Sequence, residues 1–278
     1  MMSPPLTDPA PDEAETTPLL EADEPAPLEI INAEGARPVL LICDHASCRV
    51  PRRLNGLGLP PDELRRHIGW DLGIAPVARG LAERLDAPAL LAGYSRLVID
   101  LNRQPGDPES IPEVSDGTEV PGNRALPEAE RIARQKALFD PYHEAITRTL
   151  AHLWRVHGHA PALISLHSFT PSLRGGPPRP WHIGTLWHHD PRLAGPFMSR
   201  LAEANPELCI GDNQPYAGAE LGYTVDAHGE SAGLPCLGLE VRQDGLATPA
   251  DQQRWVERLH NALSGVLADS TLYRVRHY

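Results

Sequence analysis

The sequence predicts a single α/β domain built on a mixed, mostly parallel sheet flanked by helices. Three observations carry that expectation. Apolar runs of strand length, such as Val39–Cys43 and Ala162–Leu166, are continuous rather than alternating, as in strands covered on both faces. Amphipathic stretches of helical period separate them, so strands and helices alternate nearly throughout. The chain has 278 residues and no internal repeat, enough for one domain with a substantial core.

The elements follow in order. Residues 1–28 hold seven prolines, seven acidic residues and no basic one. Such a segment buries too little apolar surface to offset its ordering entropy, so a disordered tail is expected there, with the domain over 29–278. Arg37–Cys43 reads as a first strand that runs into Asp44 and His45. From Asp71 to Leu85 a helix is expected, with Ile74, Val77, Ala78, Leu81 and Leu85 on one face. Residues 88–93 supply a second strand and Arg96–Leu101 a third. Residues 104–126, rich in Pro, Gly, Asp, Glu and Ser, read as a long loop of the kind that serves as a lid. Pro127 opens a helix to about His157, which Pro141 should kink or divide. Ala162–Leu166 is a strand leading into His167 and Ser168, and a Pro/Gly/Arg loop follows over 170–180. Ile183–Trp187 is a strand, 191–204 a helix and Glu207–Ile210 a strand. The Gly-rich stretch 217–234 is irregular. Cys236–Val241 is the last strand and carries Glu240. Thr248 and Pro249 open the final helix, with Asp251 at the capping-box position.

Composition removes several function classes. The net charge is −12, of which the first 28 residues carry −7, and this argues against nucleic acid as a partner. No run of 18 apolar residues is present, so no membrane span is expected. No basic segment followed by an apolar one opens the chain, so no secretory signal is read. The four cysteines, Cys43, Cys48, Cys209 and Cys236, form no C-x-x-C pair and suggest no disulfide framework; a reduced, cytoplasmic location is the expectation.

In open α/β sheets ligands bind beyond the carboxyl ends of the strands. Those ends deliver Asp44 and His45, Asn102 and Arg103, His167 and Ser168, and Glu240. Two histidines and a carboxylate drawn from distant sequence are the ligand set of a catalytic zinc site, and a second carboxylate then serves as general base. Glu240 stands inside an apolar strand, where an ionisable group is rarely buried without a partner. Asp71 precedes a helix, and capping that helix is its simplest role. The fork of Arg96 or Arg103, with the Asn102 amide, suits a substrate carboxylate. Equally, Asp100 paired with either arginine could simply hold a loop. His188-His189-Asp190 looks like a metal triplet, but neighbours on a strand point to opposite faces, so these read as loop residues.

Several pieces of the chain resemble the N-formylglutamate amidohydrolase family. They are Asp44-His45-Ala46-Ser47 with Val50-Pro51, Gly69-Trp70-Asp71-Leu72-Gly73, and Ser95 to Arg103. Leu166 to Pro171, Gly211 to Tyr216 and Leu239 to Asp244 continue the series over about residues 37–245. The resemblance implies a phosphorylase/hydrolase-like, zinc exopeptidase-like fold and a divalent metal, zinc being expected. The implied substrate is a small acidic N-acyl amino acid whose amide is hydrolysed. By resemblance His45 and His167 match the metal histidines, Asn102 and Arg103 the carboxylate clamp, and Glu240 the base. Asn213 and Tyr216 belong to the implied substrate-binding set with Arg96. Related zinc enzymes carry Glu three residues after the first histidine. Cys48 stands there instead, and the carboxylate ligand falls to Asp71, with Asp44 as the other candidate. Two other readings stay open: a metal-free amidase using Cys48 or a serine, and a non-catalytic carboxylate-binding protein.

Overall fold

The structure, a computed structural model, describes residues 18–218 and 222–278. Beside a small ladder of β4 (Val114–Ser115) and β5 (Thr118–Glu119), seven strands form one mixed sheet in the order β1-β3-β2-β6-β9-β7-β8. Its middle is β3 (Ala89–Ala92), β2 (Val39–Cys43), β6 (Ala162–Phe169) and β9 (Cys236–Arg242), all parallel. The edge strand β1 (Leu28–Ile31) runs antiparallel to β3. On the other side β7 (Ile183–Leu186) is antiparallel to β9 and parallel to β8 (Ile210–Asp212).

Side-chain alternation divides the core between the two faces of the sheet. After the short α1 (Pro61–Leu64) comes α2 (Ile74–Leu85); Val39, Leu41 and Cys43 of β2 join the cluster under α2 and the C-terminal helix Pro249–Leu267, while Leu40 and Ile42 join the other. That second cluster packs Tyr142, Ile146, Leu150 and Leu153 of the helix Asp140–His157. The C-terminal helix shows its sequence logic plainly: Thr248 caps it by accepting from the Asp251 amide, and Trp255, Leu259, Leu263 and Val266 face the core.

Three expectations are corrected. Residues 1–17 lie outside the described residues, but the rest of the expected tail packs on the body. Leu19 is buried in the second cluster, Pro25 accepts from the Tyr94 hydroxyl at 2.7 Å, and Glu24 accepts from the Arg52 amide at 2.9 Å. One apolar anchor and two polar ties hold this Pro-rich segment, whose backbone has little entropy to lose.

The expected third strand, Arg96–Leu101, is a series of turns. Its carbonyls are satisfied by side chains instead of a neighbouring strand: Asn123 Nδ2 donates to Leu97 O, buried Arg134 to Val98 O, and Thr224 to Leu101 O. Ser95 and Asp100 start turns by accepting from the amides two residues on, Leu97 and Asn102. The 127–157 helix divides near Pro141 as expected, into α3 (Glu128–Arg134), a π turn over Gln135–Phe139 and α4 (Asp140–His157), which leaves Pro141 in a first turn. Finally, β8 starts at Ile210, where Glu207 was expected to begin it. No helix among the described residues is long and apolar enough to cross a membrane.

Candidate functional site

Four elements bring four carboxyl groups and two imidazoles together. His45 leaves the end of β2. His167 and Glu240 lie side by side in register on β6 and β9. Asp71 is tied beside them: its amide donates to His45 O at 2.9 Å, and its Oδ2 accepts from the Ser168 amide at 3.2 Å. The helix-cap role expected for Asp71 is not taken up. Helix α2 starts at Ile74 behind Gly73, whose φ of 77° and close packing on Leu246 leave no room for a side chain. The Asp71 carboxylate turns instead to the histidines.

Asp71 Oδ2 lies 2.9 Å from His167 Nδ1 and 3.5 Å from His45 Nδ1. The three residues offer atoms within 4.8 Å of one another, all buried. Each imidazole has its far nitrogen on another carboxylate: His45 Nε2 is 2.7 Å from Asp100 Oδ1, and His167 Nε2 is 3.1 Å from Asp44 Oδ2. Asp44 is in turn held by the Thr224 hydroxyl at 3.1 Å, and Asp100 by Arg96 at 2.6 Å. His45 Nδ1 and Glu240 Oε2 are buried without a hydrogen-bond partner.

The electrostatics follow from this crowding. Burial alone would push the His167 imidazole down, but Asp44 and Asp71 beside it hold it well above its ordinary value. For Asp100 burial is likewise outweighed, here by Arg96 and His45, and its carboxyl is held well below the usual range. Glu240 has no such partner: burial drives it up to about 7, against the opposing pull of His167. Four buried carboxyls thus face one guanidinium and two imidazoles, an excess of acidic groups. A divalent cation would relieve that excess and give His45 Nδ1 a partner, so the residues present fit one. The histidine–carboxylate pairs behind the inner nitrogens are the outer support that metal-binding imidazoles use.

The group forms the base of a cavity of about 450 Å³. Arg96, Asn102, Arg103 and Tyr216 also line it, with Phe169, Leu186 and Trp187 as apolar surface. Arg96 is committed to Asp100 and stands 3.8 Å from Asp71, so the loop-holding role is real for it. The Asn102 Oδ1 accepts from the Thr224 amide, and Arg103 lies 3.6 Å from Glu109, which the long loop contributes to the cavity. Asn213 stands apart from these residues. Its side-chain oxygen accepts from the Trp187 and Gly218 amides, and it does not line the cavity; it shapes the turn that presents Tyr216. Cys48 does not line the cavity either. Sequence reasoning missed Asp44 and Asp100 as the partners of the two histidines. The signal was present in Asp100, an acid inside an apolar run.

A model of the N-formylglutamate amidohydrolase family matches residues 37–247. Among solved structures, a gene product of Agrobacterium tumefaciens is 34% identical, over 90% of this chain and 98% of its own, with a TM-score of 0.85. An N-formylglutamate amidohydrolase from Ralstonia eutropha shares the fold at 19% identity, over 87% and 98% of the two chains, with a TM-score of 0.60. No curated protein matches.

Proposed function

The chain belongs to the N-formylglutamate amidohydrolase family, and on that premise we propose that this amide hydrolase is metal-dependent and acts on N-acylated acidic amino acids such as N-formylglutamate. The observation that carries the metal is the His45 Nδ1, buried without a partner and aimed, with His167 Nδ1, at the Asp71 carboxylate. His45, His167 and Asp71 would hold the ion, with zinc favoured by two imidazoles and one carboxylate. Bound there, it supplies Lewis acidity toward the scissile carbonyl and the attacking water.

The chain's own residues do the rest. Glu240 Oε2, with no hydrogen bond to break, takes the proton from the water and passes it to the leaving amine. A carboxyl poised near 7 suits both halves of that transfer. Arg103, with Asn102 beside it, grips the substrate carboxylate, and Tyr216 closes the same cavity. Arg96 acts behind them by fixing Asp100 and, through it, the orientation of His45.

A second reading has one specific observation in its favour. Ser165 Oγ lies 2.9 Å from His167 Nε2, and His167 Nδ1 lies 2.9 Å from Asp71, the order of a serine–histidine–aspartate relay. The Ser165 hydroxyl also faces Asp44 at 3.3 Å, and this reading leaves His45 Nδ1 without a purpose. Chelation followed by metal restoration separates the two. Under the metal reading, stripped protein is inactive, metal restores it, and Ser165→Ala retains activity. Full activity after stripping, abolished by Ser165→Ala, would overturn it.

A further inference from the structure

At the mouth of the cavity stands a second group of donors that the reading above does not use. We propose that His188, His189 and Glu230 form a separate site for a borderline divalent cation such as Zn²⁺. The three residues offer donor atoms within 4.8 Å of one another. Adjacent residues of a strand would diverge, but the chain has left β7 at Leu186, and the two imidazoles lie on the same side, stacked with centroids 3.5 Å apart. Asp190, their neighbour in sequence, is not part of the group; it is buried against Arg192 at 2.6 Å.

Glu230 takes its place, and the fold fixes it there. Its Oε1 accepts from the backbone amides of both His188 and His189, at 3.0 and 3.1 Å. The carboxylate is therefore held against the same two residues whose rings would be its co-ligands, and Oε2 faces His188 Nδ1 at 3.8 Å. Two nitrogens and one oxygen suit Zn²⁺, Ni²⁺ or Cu²⁺ better than Mg²⁺ or Ca²⁺. Tetrahedral bonds of about 2.1 Å place ligand atoms about 3.4 Å apart, so the site closes by about an ångström, which exposed imidazoles can do. His188 and Glu230 also line the catalytic cavity, and with His189 they line an adjoining one of about 370 Å³. The cation would sit between the two. Its solvent access makes it weaker and faster to exchange than one on the buried His45 group.

The test is zinc titration of the tag-free, metal-stripped full chain by calorimetry, checked by elemental analysis. The parent should bind two equivalents of unequal affinity. His188→Gln with His189→Gln should lose the weaker one and keep the tighter, and Glu230→Gln should weaken it at least tenfold. His167→Ala should show the converse loss. A parent that binds one equivalent, lost with His167→Ala and unaffected by the glutamine pair, would overturn this proposal and leave the buried site standing. One equivalent lost only in the glutamine pair would support the outer site and remove the inner one. Unchanged far-ultraviolet dichroism establishes that each variant is folded.

Discussion

Glu240→Gln keeps the shape of the side chain and removes both its charge and its basicity, so it should move activity and stability in opposite directions. A positioned base contributes roughly 10²–10⁴-fold in rate, so kcat should fall at least about a hundredfold, or about 3 kcal/mol, with metal content unchanged. The stability effect follows from the buried carboxyl, raised from 4.5 to about 7. The folded protein prefers the protonated form. Its contribution is fully present below pH 4.5 and is lost as pH rises through 7, an interval worth up to about 3 kcal/mol. Glutamine does not ionise and loses nothing. In chelator-treated protein the variant should therefore match the parent near pH 4.5 and exceed it at pH 8, with Tm higher by up to about 10 °C. Restoring metal favours the ionised carboxylate and should shrink that advantage. Scanning calorimetry at the two pH values, with and without metal, reads the stability arm. Near-normal kcat would refute the role as base, and loss of the metal itself would make Glu240 a ligand. Equal Tm at both pH values would refute the account of the buried carboxyl.

Three further outcomes are expected. Asp100→Asn removes the carboxylate behind His45 Nε2, and metal affinity, measured by competition with a chromogenic chelator, should fall about 10–100-fold. Arg103→Lys loses a bidentate grip, so KM should rise about tenfold or more with kcat less affected, and the parent should turn over the substrate acid far faster than its amide; equal rates would count against the clamp. Leu19→Ala empties a buried site in the segment before β1 and should cost about 2 kcal/mol or more in urea unfolding, whereas an unstructured tail would give no change.

The central strands were legible because continuous apolar runs such as Val39–Cys43 have few other ways to be buried. The same signal misled at Leu97, Val98, Ile99 and Leu101, which are equally apolar and equally buried but belong to turns. What decides there is the fate of their carbonyls, taken by Asn123, Arg134 and Thr224 from far along the chain. Strand β1 went unread because Leu28–Ile31 is short and half exposed, with pairing to β3 as its main support. For the site, strand ends pointed to His45, His167 and Glu240, and the structure gathers them with Asp71. The backbone tie from Asp71 to His45 O, which makes that gathering possible, has no sequence signature. Asn213, a polar residue in a distinctive motif, has its side-chain oxygen on backbone amides, a partnership that the motif does not announce.

The central strands β2, β6 and β9 carry or anchor every group assigned to bond breaking: His45 at the end of β2, His167 on β6, Glu240 on β9, and Asp71 tied to His45. The rim is made otherwise, from Arg103 and Glu109, Leu173, Trp187 and His188, and Tyr216, all on connecting segments. Loops tolerate insertion and exchange far better than buried parallel strands. Substrate choice can therefore drift, or be redirected in the laboratory by exchanging segments such as 170–180, while the scissile chemistry stays intact. Two chains with the same strand-end residues can consequently consume different acids, and the rim is the place to look for the difference.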